Sequence, residues 1–152
     1  LKVFISYAHE DEIYKNQLRE ELLTWEVTNR IEIFDDRDLM VSKDVDEGLL
    51  KERLEPADLV ILLVSKDFLK SAYCMEKEVK LALAQYKAGK ARVLPILVKP
   101  VSNYDLLPFS KIASLPKDLV SIEDHPDKKA VWVAINAKLS ELIEELIAKK
   151  AL

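Results

Sequence analysis

Glycine is almost missing from this chain: Gly48 and Gly89 are the only two in 152 residues. A phosphate-cradling P-loop and a dinucleotide fingerprint each need several glycines at fixed spacing, so both are excluded, and any nucleotide must be held in another way. Cysteine is nearly as scarce. Cys74 stands alone, which rules out an intramolecular disulfide, and with only His9 and His125 as histidines a structural zinc site lacks its ligands. No metal is expected, and a reducing cytoplasm is the natural compartment. Long apolar runs are also absent. The longest, Leu59 to Val64, falls far short of the ~20 residues a membrane-spanning helix needs. No signal peptide precedes the first strand, and a chain that opens on Leu1 reads as one domain cut from a longer protein, with a flanking sensor or oligomerisation domain outside it. Charge of one sign does not dominate either. Twenty-three basic against twenty-seven acidic residues give a net charge of -4, and without a basic block, binding to a nucleic-acid backbone is not expected.

What remains is an ordinary globular composition, 49% hydrophobic and 33% charged, at a length that suits a single domain over residues 1–152. Val3-Phe4-Ile5 reads as a buried strand that ends at polar Ser6 and the loop Ala8-His9-Glu10-Asp11. Tyr14, Leu18, Leu22 and Trp25 recur at helical spacing, and Ile31 to Phe34 resumes an extended run. After the polar loop Asp35-Asp36-Arg37-Asp38, the positions Val45, Leu49 and Leu54 mark a second helix that Pro56 ends. Leu59 to Val64 is apolar at every position, as in a parallel strand covered on both faces. Met75, Val79, Ala82 and Tyr86 define a third helix, with Ser71 as N-cap and Gly89 at its C-terminal end. Arg92 to Val98 reads as a fourth strand, in which Pro95 calls for an edge, a bulge or a strand end. A short strand is expected near Leu119 to Ile122. The last helix is capped by Asp127 and buries Val131, Ile135, Leu139, Leu142 and Leu146.

Strands alternating with helices imply right-handed βαβ units and a flavodoxin-like three-layer α/β/α fold, with a parallel sheet of about five strands in the order 2-1-3-4-5. In such sheets ligands bind beyond the carboxyl ends of the strands where the order reverses, here between the first and third strands. That selects the loop 8–11, the loop 65–71 and the start of the helix that carries Glu78.

Several stretches occur together and in order: Val3-Phe4-Ile5-Ser6-Tyr7-Ala8-His9-Glu10-Asp11, Phe34-Asp35-Asp36-Arg37-Asp38, and Ala57-Asp58 leading into Val60 to Ser65. Downstream come Ser71-Ala72-Tyr73-Cys74 with Glu78 four residues later, Gly89-Lys90-Ala91-Arg92-Val93-Leu94-Pro95-Ile96, Pro108-Phe109 and Leu115-Pro116. This set resembles the bacterial branch of the TIR (Toll/interleukin receptor) family over essentially the whole chain. The resemblance implies an NAD glycohydrolase or cyclase that cleaves the nicotinamide–ribose bond and gives ADP-ribose or a cyclic product. NAD is then the substrate, no cofactor is needed, and Glu78 is the catalytic carboxylate by motif position. The family resemblance also implies self-association with other TIR domains and a role in bacterial defence or signalling. A non-catalytic adaptor acting only by TIR–TIR contact is the alternative.

The substrate-binding candidates are Ser6, Tyr7, His9, Asp36, Arg37, Tyr73 and Cys74, each with a plainer reading. By helical spacing alone Glu78 lies at the edge of an apolar stripe, where a solvated charge is the ordinary outcome. Cys74 also reads as a small buried hydrophobe, Tyr73 as a packed aromatic, and Arg37 as half of a surface ion pair. Ser6 either donates to a ligand or satisfies the strand end. His9 and Asp11 fit a surface turn beside a helix N-terminus. The loop Asp35 to Asp44 departs from the family, with Ser42, Lys43, Asp44, Val45 and Asp46 where a glycine and an aromatic are common. A phospho-receiver on the same fold needs an aspartate at the end of the third strand, where Ser65 stands, although Lys99 follows the later strand suggestively.

Overall fold

The computed structural model describes residues 1–35 and 47–152, and its centre is the strand whose sequence is apolar throughout. That strand, β3 (Leu59–Val64), has all six side chains fully buried, because helices cover both of its faces. It pairs in parallel with β1 (Lys2–Ser6) on one side and with β4 (Arg92–Leu97) on the other. β2 (Glu32–Asp35) pairs with the far side of β1. Among the described residues the sheet has four strands, in the order β2-β1-β3-β4, so the reversal of strand order falls between β1 and β3 as the sequence indicated.

One face of the sheet packs Val3, Ile5, Ile61 and Leu63 against α1 (Glu12–Glu21), α2 (Leu23–Val27) and α6 (Lys128–Lys150). The other packs Phe4, Val60, Leu62 and Val64 against α3 (Glu47–Leu54), α4 (Lys66–Lys70), a π-helix (Tyr73–Val79) and α5 (Lys80–Lys87). Strand side chains alternate between faces, and so Ser6, two residues beyond Phe4, shares the second face. Caps fix the helix ends. Asp127 accepts from the Ala130 amide at 3.0 Å, and Gly89 takes the left-handed conformation (φ 72°) that closes α5.

The expected fifth strand does not form. Leu115 makes a single parallel bridge to Ile96, but Pro116 has no N–H to continue a ladder, and Leu119 sits at φ 57°, outside the extended region. The segment still supplies edge hydrogen bonds: Leu115 N donates to the Pro95 carbonyl, and Ile122 N to the Leu97 carbonyl, each at 3.0 Å. β4 is therefore the terminal strand, which is where Pro95 is tolerated. Among the described residues no helix is long and apolar enough to cross a membrane.

Candidate functional site

The site is built where β1 ends and the π-helix begins. Ser71 accepts a hydrogen bond from the Cys74 amide at 3.1 Å, the capping role its position suggested. The seven-residue segment Tyr73–Val79 then winds as a π-helix before tightening into α5. Such widened turns are rare and frequently occur at functional sites. Two side chains four residues apart, Cys74 and Glu78, both meet the end of β1. Ser6 Oγ donates to Glu78 Oε1 at 2.8 Å, and Cys74 Sγ donates to the Tyr7 carbonyl at 3.5 Å.

Glu78 is 0% exposed. Helical spacing alone left it at the edge of an apolar stripe, where a solvated charge is ordinary; the structure places it inside, against a hydroxyl donor. Burying a carboxyl group is costly for folding, and the Ser6 hydroxyl offsets part of that cost.

The other candidates divide between the two faces. Cys74 is buried and Tyr73 half-buried on the Glu78 side, in the cluster with Phe4 and Leu62. The ring of Tyr7 faces the opposite side: the Lys15 ammonium lies 5.3 Å from its centroid, and exposed His9 meets it edge-on at 6.4 Å. The Tyr7 backbone carbonyl meets the Glu78 helix through Cys74 Sγ. Asp36 and Arg37 lie outside the described residues. Asp11, for which a surface turn was the plainer of two readings, is fully buried.

Two polar networks at the carboxyl ends of the strands had no local sequence signal. Lys15, only 4% exposed, lies 3.6 Å from Asp35, which also accepts from Arg19 at 3.1 Å. Asp11 meets Lys99 at 2.7 Å and accepts a hydrogen bond from Ser65. The hydrogen bond to Asp11 holds the Lys99 ammonium above its ordinary value of 10.5, against the opposing effect of burial. The partners of each network come from separate parts of the chain, which no local pattern could join. A wide polar groove lined by Leu1, Asn29, Ile31 and Arg53 runs past the amino end of β2. The geometry of the fold favours the carboxyl ends instead.

The description "TIR domain" matches residues 3–132. The chain belongs to the TIR domain family. This TIR domain is also similar to the uncharacterized protein y4lF of Sinorhizobium fredii (strain NBRC 101917 / NGR234), at 32% identity over 139 residues, 91% of the chain. The domain spans 42% of that relative's length. The matched region contains both halves of the site, Ser6 on β1 and Glu78 on the π-helix.

Proposed function

We propose that this TIR domain is an NAD glycohydrolase or ADP-ribosyl cyclase, with Glu78 as its catalytic carboxylate. The observation that carries the reading is a fully buried glutamate on a π-helix, oriented by the Ser6 hydroxyl at 2.8 Å and located at the strand-order reversal of the sheet. Buried carboxylates that face a switch point are costly, and functional sites are where folds carry that cost.

The chemistry suits one carboxylate. An ordinary glycoside needs an acid to protonate its leaving oxygen. The nicotinamide of NAD is already cationic and departs neutral as the C–N bond to ribose breaks. The task left is to fix the ribose hydroxyls and stabilise an oxocarbenium-like transition state, which a preorganised anion in a water-poor site does well. Attack by water gives ADP-ribose; attack by a nucleotide atom of the same molecule gives a cyclic product. Ser6, Tyr7 and His9 at the end of β1, with Tyr73 and Cys74 on the π-helix, are the proposed contacts of an entering nucleotide, and Asp36 and Arg37 are proposed as further ones.

Because Glu78 is closed to solvent, the substrate enters only after a rearrangement, and self-association of TIR domains is its proposed trigger. Cytoplasmic NAD depletion or nucleotide signalling in bacterial defence is the corresponding role. The same burial is what a purely structural carboxylate would show, and this favours the adaptor as the second reading. Nicotinamide release by concentrated protein, measured for the unmodified domain and for Glu78→Gln, separates them. Catalysis requires release from the former and its loss in the latter; release untouched by the substitution sinks the assignment of Glu78.

A further inference from the structure

Beside the Ser6–Glu78 pair, a second buried polar group joins Asp11 with Ser65 and Lys99. These residues follow β1, β3 and β4, three neighbouring strands. Asp11 is fully buried; its Oδ2 accepts from Ser65 Oγ and its Oδ1 lies 2.7 Å from Lys99 Nζ. Lys99 reaches a second carboxylate, Asp67, at 3.6 Å. Ser65 is itself fully buried, with its oxygen accepting from the Phe68 amide at 3.0 Å. A buried hydroxyl engaged in this way is no phosphoryl acceptor.

The network joins both supports of the Glu78 helix. On one side is the turn after β1: Ser6 and Tyr7, which hold Glu78 and Cys74, lead directly into Asp11. On the other is α4, a helix of five residues capped by Ser65 at its start. At its end Ser71 accepts from the Cys74 amide through its side chain at 3.1 Å and from the Met75 amide through its carbonyl at 3.0 Å. The contacts close a ring, from Glu78 to Ser6, along the turn to Asp11, across to Ser65, through α4 to Ser71 and back into the π-helix. So short a helix has few internal bonds to set its register. Lys99 fixes the junction by neutralising the buried Asp11.

We propose that Asp11, Ser65 and Lys99 are positioning residues that set the placement of Glu78 through the β1 turn and α4. The proposal rests on Glu78 being the catalytic carboxylate. A misplacement of about 1 Å at a reacting group can cost on the order of 100-fold in rate. Loss of position without loss of a substrate contact lowers kcat and leaves KM nearly unchanged.

The test uses Lys99→Met, Lys99→Arg and Ser65→Ala in the whole domain, with two readouts. Nicotinamide release from NAD should show kcat for Lys99→Met down by about 10- to 100-fold, KM within about two-fold, and Lys99→Arg recovering most of the loss. Independently of activity, Cys74 is the single cysteine and lies on the π-helix, so its rate of labelling by a thiol reagent in native buffer reports how firmly that helix is held. That rate should rise about 10-fold or more in Lys99→Met, as expected when local opening becomes easier by ~1.4 kcal/mol. If Lys99→Met does not fold, Ser65→Ala carries both measurements, since it removes the tie to Asp11 and the α4 cap while leaving the ion pair in place. Unchanged kcat in a folded variant overturns the proposal, as does a raised KM at constant kcat, which would make Lys99 a substrate contact. If the unmodified domain releases no nicotinamide, the catalytic reading fails. The labelling arm still decides the mechanical link: faster labelling upholds it and an unchanged rate overturns it.

Discussion

Replacing Ser6 by alanine removes one hydroxyl from the most buried polar contact in the site, and its energetic consequence can be worked out. Ser6 and Glu78 are both 0% exposed, with 2.8 Å between donor and acceptor. A hydrogen bond to a charged group contributes about 1.5–3 kcal/mol, and the loss is felt in full when the charge stays buried. Neither single substitution reports that quantity cleanly, because Glu78→Ala also leaves a cavity and relieves a buried charge. A double-mutant cycle of Ser6→Ala and Glu78→Ala cancels those terms. Urea unfolding of the four proteins at pH 7, with equal m values as the check on two-state behaviour, should give a coupling energy of about 1.5–3 kcal/mol. Additivity within about 0.5 kcal/mol would refute the reasoning, because the hydroxyl would then not be holding the carboxylate.

Asp35→Ala should destabilise the domain by about 3–5 kcal/mol in denaturant titration, because it deprives buried Lys15 of its nearer carboxylate and leaves Glu12 at 3.9 Å. A cost below 1 kcal/mol, the range of an exposed pair, would show that Lys15 is not dependent on Asp35. Stability should also fall on the alkaline side. Lys99 is held above its ordinary 10.5 by Asp11, and Tyr14 and Tyr104 are pushed above 10.0 chiefly by desolvation. In each case the folded state keeps its proton longer than the unfolded chain, so the contribution is intact below about pH 10 and is lost as pH rises through the folded values. Urea midpoints measured from pH 8 to 11 should decline from about pH 10, and Lys99→Met should decline less steeply. An identical alkaline slope would remove Lys99 from the account.

The fold was legible wherever one local rule decided the outcome. Six consecutive apolar residues mark β3 because only a strand covered on both faces hides them all. Ser71, Asp127 and Gly89 mark helix ends through capping chemistry that acts within a few residues. Pro95 points to an edge because it cannot donate to a ladder. The fifth strand was misjudged because Leu119 to Ile122 has suitable side chains but an unsuitable backbone, with φ 57° at Leu119 and Pro116 just upstream. Side-chain pattern records burial; it does not record a single left-handed residue.

The placement of the candidate residues in the fold was legible, and their arrangement there much less so. Topology alone placed a cleft at the ends of β1 and β3, and motif spacing brought Glu78 to it. The winding of residues 73–79 was not readable, because an apolar stripe over so few residues fits an α-turn and a π-turn alike. That winding matters: a wheel drawn at α-helical spacing leaves Glu78 at the edge of the stripe, whereas the π-helix has it fully buried against Ser6. The plain reading of an exposed helical glutamate rested on the α-helical assumption. Once that assumption is removed, the carboxylate needs an explanation that solvent exposure no longer supplies. Its hydroxyl donor, its place at the strand-order reversal and the ring of contacts through Asp11 and Ser65 all fix its position more firmly than packing an apolar side chain would require.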